Sequence, residues 1–208
     1  MHALVQDGSI IKYFSGLKGV TIGEIQYPQN IFTLWTDADK AAIGLYEVIQ
    51  NNAKKKDEEY YINTDQTFTY DADAGTVTAT YGDATAKAHA DTLYTAQDES
   101  DGKGTEGEVK VEGLKTVKIR NIKARATEIL AGTDWYIIRK ADAGTAVPSA
   151  ITTHRAAVRT KAAAQETQIT NASDTPAIET LYTYVNTADE GDPVVMERPL
   201  GELPTLGS

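Results

Sequence analysis

The chain has no cysteine in its 208 residues. Disulfides, thiolate nucleophiles and cysteine-ligated zinc are therefore excluded. Its three histidines, His2, His89 and His154, stand too far apart for an HxxxH or HExxH metal spacing. Basic charge is in deficit: 20 Lys and Arg against 30 Asp and Glu leave a formal charge of −10. That balance argues against general binding to nucleic acid or to an anionic membrane. No run approaches the roughly 18 apolar residues of a membrane span. The first residues lack the basic-then-apolar plan of a secretion signal, so a cytoplasmic start is expected. What is there is a length suited to one or two compact domains with a sizeable core.

The first half reads as β-rich. Ala3-Leu4-Val5 and Ile10-Ile11-Lys12-Tyr13 flank Asp7-Gly8, a type I′ turn signal, so residues 1–15 form a hairpin. Val20-Thr21-Ile22 suits a further short strand. Thr36 or Asp37 N-caps a helix expected to run through Ala41, Ile43, Leu45 and Val48, with Gly44 inside it as a weak point. Residues 51–59 form a polar connector. Tyr60 to Ile62, Thr67 to Tyr70 and Thr76 to Tyr81 are rich in Thr and aromatics and read as strands, with Asp73-Ala74-Gly75 as a hairpin loop. Residues 98–107 (DESDGKGTEG) are acidic and glycine-rich, which predicts a surface loop or linker.

From residue 113 the hydrophobic period becomes helical. Leu114, Val117, Ile122, Ala126 and Ile129 mark one helix, ended by Ala131-Gly132. Thr133-Asp134 bridges into 135–140, and Ala143-Gly144-Thr145 is a turn. A second helix starts near Pro148 and carries the stripe Val147, Ile151, His154, Val158, Ala162, Gln165 and Ile169 to about residue 171. Two helices joined by a short turn predict an antiparallel hairpin. Thr175-Pro176 starts one more short helix. The last residues, with Pro193, Pro199 and Pro204, are expected to be extended and ordered only against a partner. The expected class is thus α+β: a small β-rich N-terminal and middle part, then a C-terminal antiparallel helical hairpin and an extended tail. The segments fall at 1–58, 59–112, 113–185 and 186–208.

Chemistry finds little support. There is no GxSxG, P-loop or GxGxxG. His154 is the best lone candidate for acid–base work, but its place on the apolar stripe suits a core or interface histidine. Asp71, Asp73, Asp98, Glu99 and Asp101 do not fit an EF-hand spacing. No catalytic, cofactor-binding or metal residue is assigned, and no enzyme activity, cofactor or small-molecule substrate is expected. Charge, however, is unevenly spread: residues 113–165 hold ten Lys and Arg against three Asp and Glu. Contact with nucleic acid or phosphate is one reading of this basic element. Docking on an acidic protein surface is the favoured one, because the acidic remainder of the chain would repel DNA. The eleven tyrosines against three phenylalanines suit either half-exposed strand faces or interfaces.

The stretch Thr133 to Arg159 reads TDWYIIRKADAGTAVPSAITTHRAAVR. It resembles a segment recurring in tailed-bacteriophage tail-fibre or baseplate components and in tail-fibre assembly proteins. In that family a helix leads into a T-D-W segment, an R-K pair, a short turn, a Val/Ile-Pro step and a helix bearing an aromatic-Arg-xx-Val-Arg pattern. Thr133, Asp134 and Trp135, then Arg139 and Lys140, Val147 and Pro148, and finally His154, Arg155, Val158 and Arg159 carry the match. His154 stands where the family usually has Tyr. The opening MHALVQDGSIIKYF and Ile43 to Val48 (IGLYEV) look like the family's first module, whereas the expected Trp-containing strand before the helices is replaced by the acidic segment 98–112.

The resemblance implies a structural virion protein of a phage tail, made in the bacterial host cytoplasm and assembled into the virion. Its partners would be other tail proteins and copies of itself, with no nucleic acid or membrane. The alternative is a tail-fibre assembly chaperone absent from the mature particle. Asp134, Trp135, Arg139, Lys140, Pro148, His154, Arg155 and Arg159 are its expected structural and interface residues. Trp135 is expected to anchor the helix–helix corner, where burying on the order of 200 Å² would contribute up to about 5 kcal/mol. Arg139 and Arg155 are expected to form a fork with Asp134 or Asp142.

Overall fold

The computed structural model describes residues 1–16 and 18–207; Ser208, the last residue of the expected tail, lies outside them. The fold is mixed α and β, and the chain divides into two compact units, Met1–Thr85 and Ala86–Ser208.

The first unit is built on a five-stranded sheet. β1 (His2–Gln6) and β2 (Ser9–Phe14) form the expected hairpin. Asp7 and Gly8 both take positive φ, 48° and 75°, as a type I′ turn requires. β3 (Val20–Ile22) and β4 (Ile25–Tyr27) pair as a small ribbon. α1 (Ile31–Leu34) precedes α2 (Asp37–Ala41), whose N-terminus is closed by a capping box between Thr36 and Asp39.

Here the structure corrects the expected helix. It stops at Ala41, and Leu45–Asn51 is strand β5, running antiparallel to β1 with Ala3 opposite Tyr46. Gly44 makes the switch. Its φ is +75°, a Cβ there would lie 2.5 Å from the Val5 carbonyl oxygen, and its own carbonyl accepts the Val5 N–H at 2.7 Å. Leu45 and Val48, three apart, read as one helical face; in the strand they point to opposite faces, and both are buried because both faces of the sheet are covered, which only tertiary pairing decides.

β6 (Tyr61–Ile62), β7 (Gln66–Asp71), β8 (Thr76–Tyr81) and β9 (Thr85–Ala86) follow. β7 and β8 are the second expected hairpin, its loop stabilised by the Asp71 carboxylate, which accepts the N–H groups of Asp73 and Ala74. β8 lies parallel to β5, and the sheet order is β2-β1-β5-β8-β7. The two outer strands approach each other: the rings of Tyr13 and Phe68 are 4.7 Å apart, so the sheet curls. One face buries Ala3, Val5, Val48, Val77 and Ala79, and Tyr46 and Tyr70 pack beside them with hydroxyls 3.2 Å apart. The opposite face buries Val20, Ile31 and Leu45. These tyrosines therefore do cross-strand packing.

The second unit opens with β10 (Thr92–Leu93), α3 (Ala96–Ser100) and β11 (Val109–Val111). The expected loop at 98–107 thus begins inside a helix. Thr95 and Asp98 form its capping box, and the Asp98 carboxylate also takes the Lys110 ammonium at 2.8 Å. The Lys110 contact, with the Thr95 hydrogen bonds, holds the Asp98 carboxyl down at about 2. The Thr-x-x-Asp signal was present in the sequence, masked by the Gly and acidic residues after it.

α4 (Leu114–Ala131), α5 (Asp134–Ala143), α6 (Ser149–Asn171) and α7 (Thr175–Tyr182) form the bulk of the unit. Lys115, at the start of α4, donates to the Thr170 carbonyl near the end of α6; Lys123 lies 3.4 Å from Glu166; Arg155, near the start of α6, donates to the Leu130 carbonyl. The two long helices therefore run side by side in opposite directions. α6 buries Ile151, His154, Val158, Ala162, Gln165 and Ile169, the stripe read from spacing, together with Arg155. Pro148 caps α6 from outside its first turn instead of sitting within it.

The C-terminal segment departs most from expectation. β12 (Val185–Asn186) and β13 (Met196–Glu197) make a short ribbon. Leu200 then returns to the helices and is 1% exposed. Its N–H donates to the Leu181 carbonyl, and Gln165 Nε2 donates to the Gly201 carbonyl at 2.9 Å. The segment is held by its own unit because it ends in one apolar anchor flanked by satisfied backbone groups, a feature that composition does not display.

Candidate docking corner

The site is the elbow where α4 turns into α5. A helix end leaves its last carbonyls without partners. At this end the Leu130 carbonyl accepts the Thr133 hydroxyl at 2.9 Å and Arg155 Nη1 at 2.7 Å. The same nitrogen donates to Thr133 Oγ1 at 2.7 Å and lies 2.8 Å from the Asp134 carboxylate. Arg155 is only 7% exposed. One buried guanidinium thus ties the end of α4, the first turn of α5 and the side of α6 together. Asp134 also sits where the helix dipole of α5 favours an anion.

Held in this way, α5 has no buried residue. Trp135 is 49% and Ile138 66% exposed, and Ile137 is exposed as well. The Trp135 and Tyr136 rings stack at 3.8 Å, and the Arg139 guanidinium lies 4.7 Å over Trp135. This arrangement stiffens an apolar surface and rims it with positive charge. Gly144, at φ +68°, ends the helix with its N–H on the Lys140 carbonyl.

Two expectations change here. Trp135 is a surface residue, and the buried side chains of the corner are Thr133 and Arg155. The fork is formed by Arg155 with Asp134 alone; Arg139 stacks on the aromatics instead, and Asp142 takes no part in either. Lys140 and Arg159 are exposed, and His154 is buried in the helical stripe. Sequence reasoning did not single out Tyr136, Ile137 and Ile138. The signal was available: four consecutive large apolar residues in a ten-residue helix leave some on every face.

Among the described residues no cluster of three or more His, Asp or Glu side chains is placed to hold a metal ion. No described helix is long and apolar enough to cross a membrane. A cleft of about 380 Å³ lies between α4, α6 and the C-terminal segment. Of its charged side chains, Arg198 pairs with Glu202 and Arg125 with Glu128.

The chain matches no known family model, no curated protein and no solved structure. The corner must be interpreted from its own geometry. It presents an exposed apolar surface with a guanidinium stacked on its aromatic rings.

Proposed function

We propose that the chain is a structural component of a phage tail, a fibre, baseplate or tail-tip subunit, that acts by protein–protein docking without catalysis. The observation carrying this reading is α5: a ten-residue helix, clamped by a buried arginine, that exposes Trp135, Ile137 and Ile138 together. Monomeric soluble proteins rarely expose such contiguous apolar surface unless it is a binding site, and Trp, Tyr and Arg are the side chains that dominate interface energetics. The antiparallel helical hairpin of α4 and α6 serves as the stiff backing. The resemblance over 133–159 supplies the tail setting.

Peptide mass spectrometry of purified particles of the encoding phage tests the proposal. The chain is expected there in several copies per particle. Its absence from particles, with normal fibres lost when its gene is deleted, would replace the structural role by that of an assembly chaperone. An origin outside any phage or prophage tail gene cluster would remove both.

A further inference from the structure

A second exposed apolar element lies in the same unit. The β12–β13 ribbon forms a two-stranded sheet of its own, so both of its outer edges are unpaired. Tyr184, Val185, Val194, Val195 and Met196 are all exposed on or beside it. Its tip carries Asp189, Glu190 and Asp192, and Glu197 ends it. None of these four carboxylates has an ion-pair partner among the described residues. The same holds for Arg139 and Lys140 on α5 and for Arg159 on α6.

The two surfaces are complementary at their rims: the ribbon carries carboxylates, and the Trp135–Ile138 face is followed by Arg139 and Lys140, with Asp142 one turn of chain beyond it towards the end of α5. We propose that the occupant of the α5 corner is a second copy of this chain, which inserts its acidic C-terminal ribbon against Trp135 and Ile138. This deepens the reading of the chain as an assembly protein, and rests on it. Apolar side chains would form the centre of the contact, and the carboxylates would meet Arg139 and Lys140 at the rim, the usual anatomy of a specific interface. The contact joins two different patches. A copy bound through one patch still offers the other, so the association closes as a two-fold or larger ring once every ribbon meets a corner, or runs on as an open row.

The test uses full-length chains in light scattering at low salt. Wild type is expected to show a mass that rises with concentration and falls with added salt. A corner-reversed chain (Arg139→Glu with Lys140→Glu) and a ribbon-reversed chain (Asp189→Lys, Glu190→Lys and Asp192→Lys) should each associate about a hundredfold more weakly, since like charges then face each other. Mixed together they should recover wild-type association, because every contact between unlike copies is again complementary. Wild type that is monomeric at all concentrations, or reversed chains that self-associate unchanged, would overturn the proposal. So would a mixture that stays monomeric while both chains retain their helical circular dichroism.

A second arm does not depend on the reversed chains folding. The native chain has no cysteine, so Ile138→Cys and Val195→Cys can be mixed under oxidising conditions. A disulfide across the mixture is expected. A disulfide in Ile138→Cys alone, with none across the mixture, would place corner against corner and reject the head-to-tail contact. A monomeric chain still found in purified particles would remove this proposal and leave the assembly role standing.

Discussion

Arg155 organises the C-terminal unit more than any other side chain. It is buried, it is cationic, and its Nη1 serves the Leu130 carbonyl, the Thr133 hydroxyl and the Asp134 carboxylate at once. Removing it takes one donor from the Leu130 carbonyl and from the Thr133 hydroxyl, leaves Asp134 without its cation and opens a void in a buried corner. Arg155→Ala should cost about 2–4 kcal/mol in urea unfolding, with Arg155→Lys recovering only part, because the lysine ammonium stops one bond short of the Nη1 position that serves all three acceptors. His2 is the corresponding point in the N-terminal unit. It is 6% exposed, its ring lies 4.8 Å from Phe32, and neither nitrogen has a hydrogen-bond partner. Burial, and then the nearby Lys40, lower its pKa below the ordinary value of about 6.5. The unfolded chain therefore takes up the proton first. The stabilising contribution is complete above about pH 6.5 and is lost as pH falls below it. Thermal unfolding of wild type should show this acid-side loss, and His2→Phe should abolish it. An equal loss in the variant would assign the effect to other groups.

At the scale of elements, Gly44 decides whether a stretch is helix or strand. A side chain there meets both a positive φ and the Val5 carbonyl. Gly44→Ala should lower stability by roughly 2 kcal/mol or more, in contrast to the gain that alanine brings to an ordinary helix interior. Measured stabilisation would mean that the helix runs on to Val48 after all. α5 carries the opposite expectation. Its Trp135 is half exposed, with Tyr136 and Arg139 against its ring. Trp135→Ala should change unfolding free energy by no more than about 0.5 kcal/mol, whereas a core tryptophan would cost about 3–5 kcal/mol. The same substitution should weaken self-association and incorporation into particles. A large loss of stability would return Trp135 to the core and remove the corner as a docking surface.

At the scale of the whole molecule, each unit has its own apolar interior. The C-terminal one is completed by residues far down the chain. Leu200 fills a site beside α6 and α7, so Leu200→Ala should cost about 2–4 kcal/mol, and removal of residues 190–208 should destabilise the helices as well as delete the ribbon. Chemical denaturation followed by the helical signal checks both. Much of this architecture was legible beforehand. The hairpins at 1–15 and 66–81 announced themselves through Asp7-Gly8 and Gly75, whose left-handed backbone few other residues adopt comfortably. The α6 stripe was legible because about six turns of consistent spacing leave little ambiguity. The parts that were not legible are short or conditional. Leu45 and Val48 have helical spacing and are buried on opposite faces of a strand covered on both sides, α3 hides behind acidic residues, and Trp135 lies outside a corner whose buried side chains are Thr133 and Arg155.

Local rules act between residues a few positions apart, so the sequence alone determined the turns, the caps and the long amphipathic helices, along with the absence of thiol chemistry. Whether a large apolar side chain ends inside or outside depends on competition among groups distant in the chain. Arg155 and Thr133 are buried in the corner and Trp135 lies outside it, Leu200 closed the helical core, and only the tertiary structure decided that α5 and the C-terminal ribbon would face solvent with opposite charge.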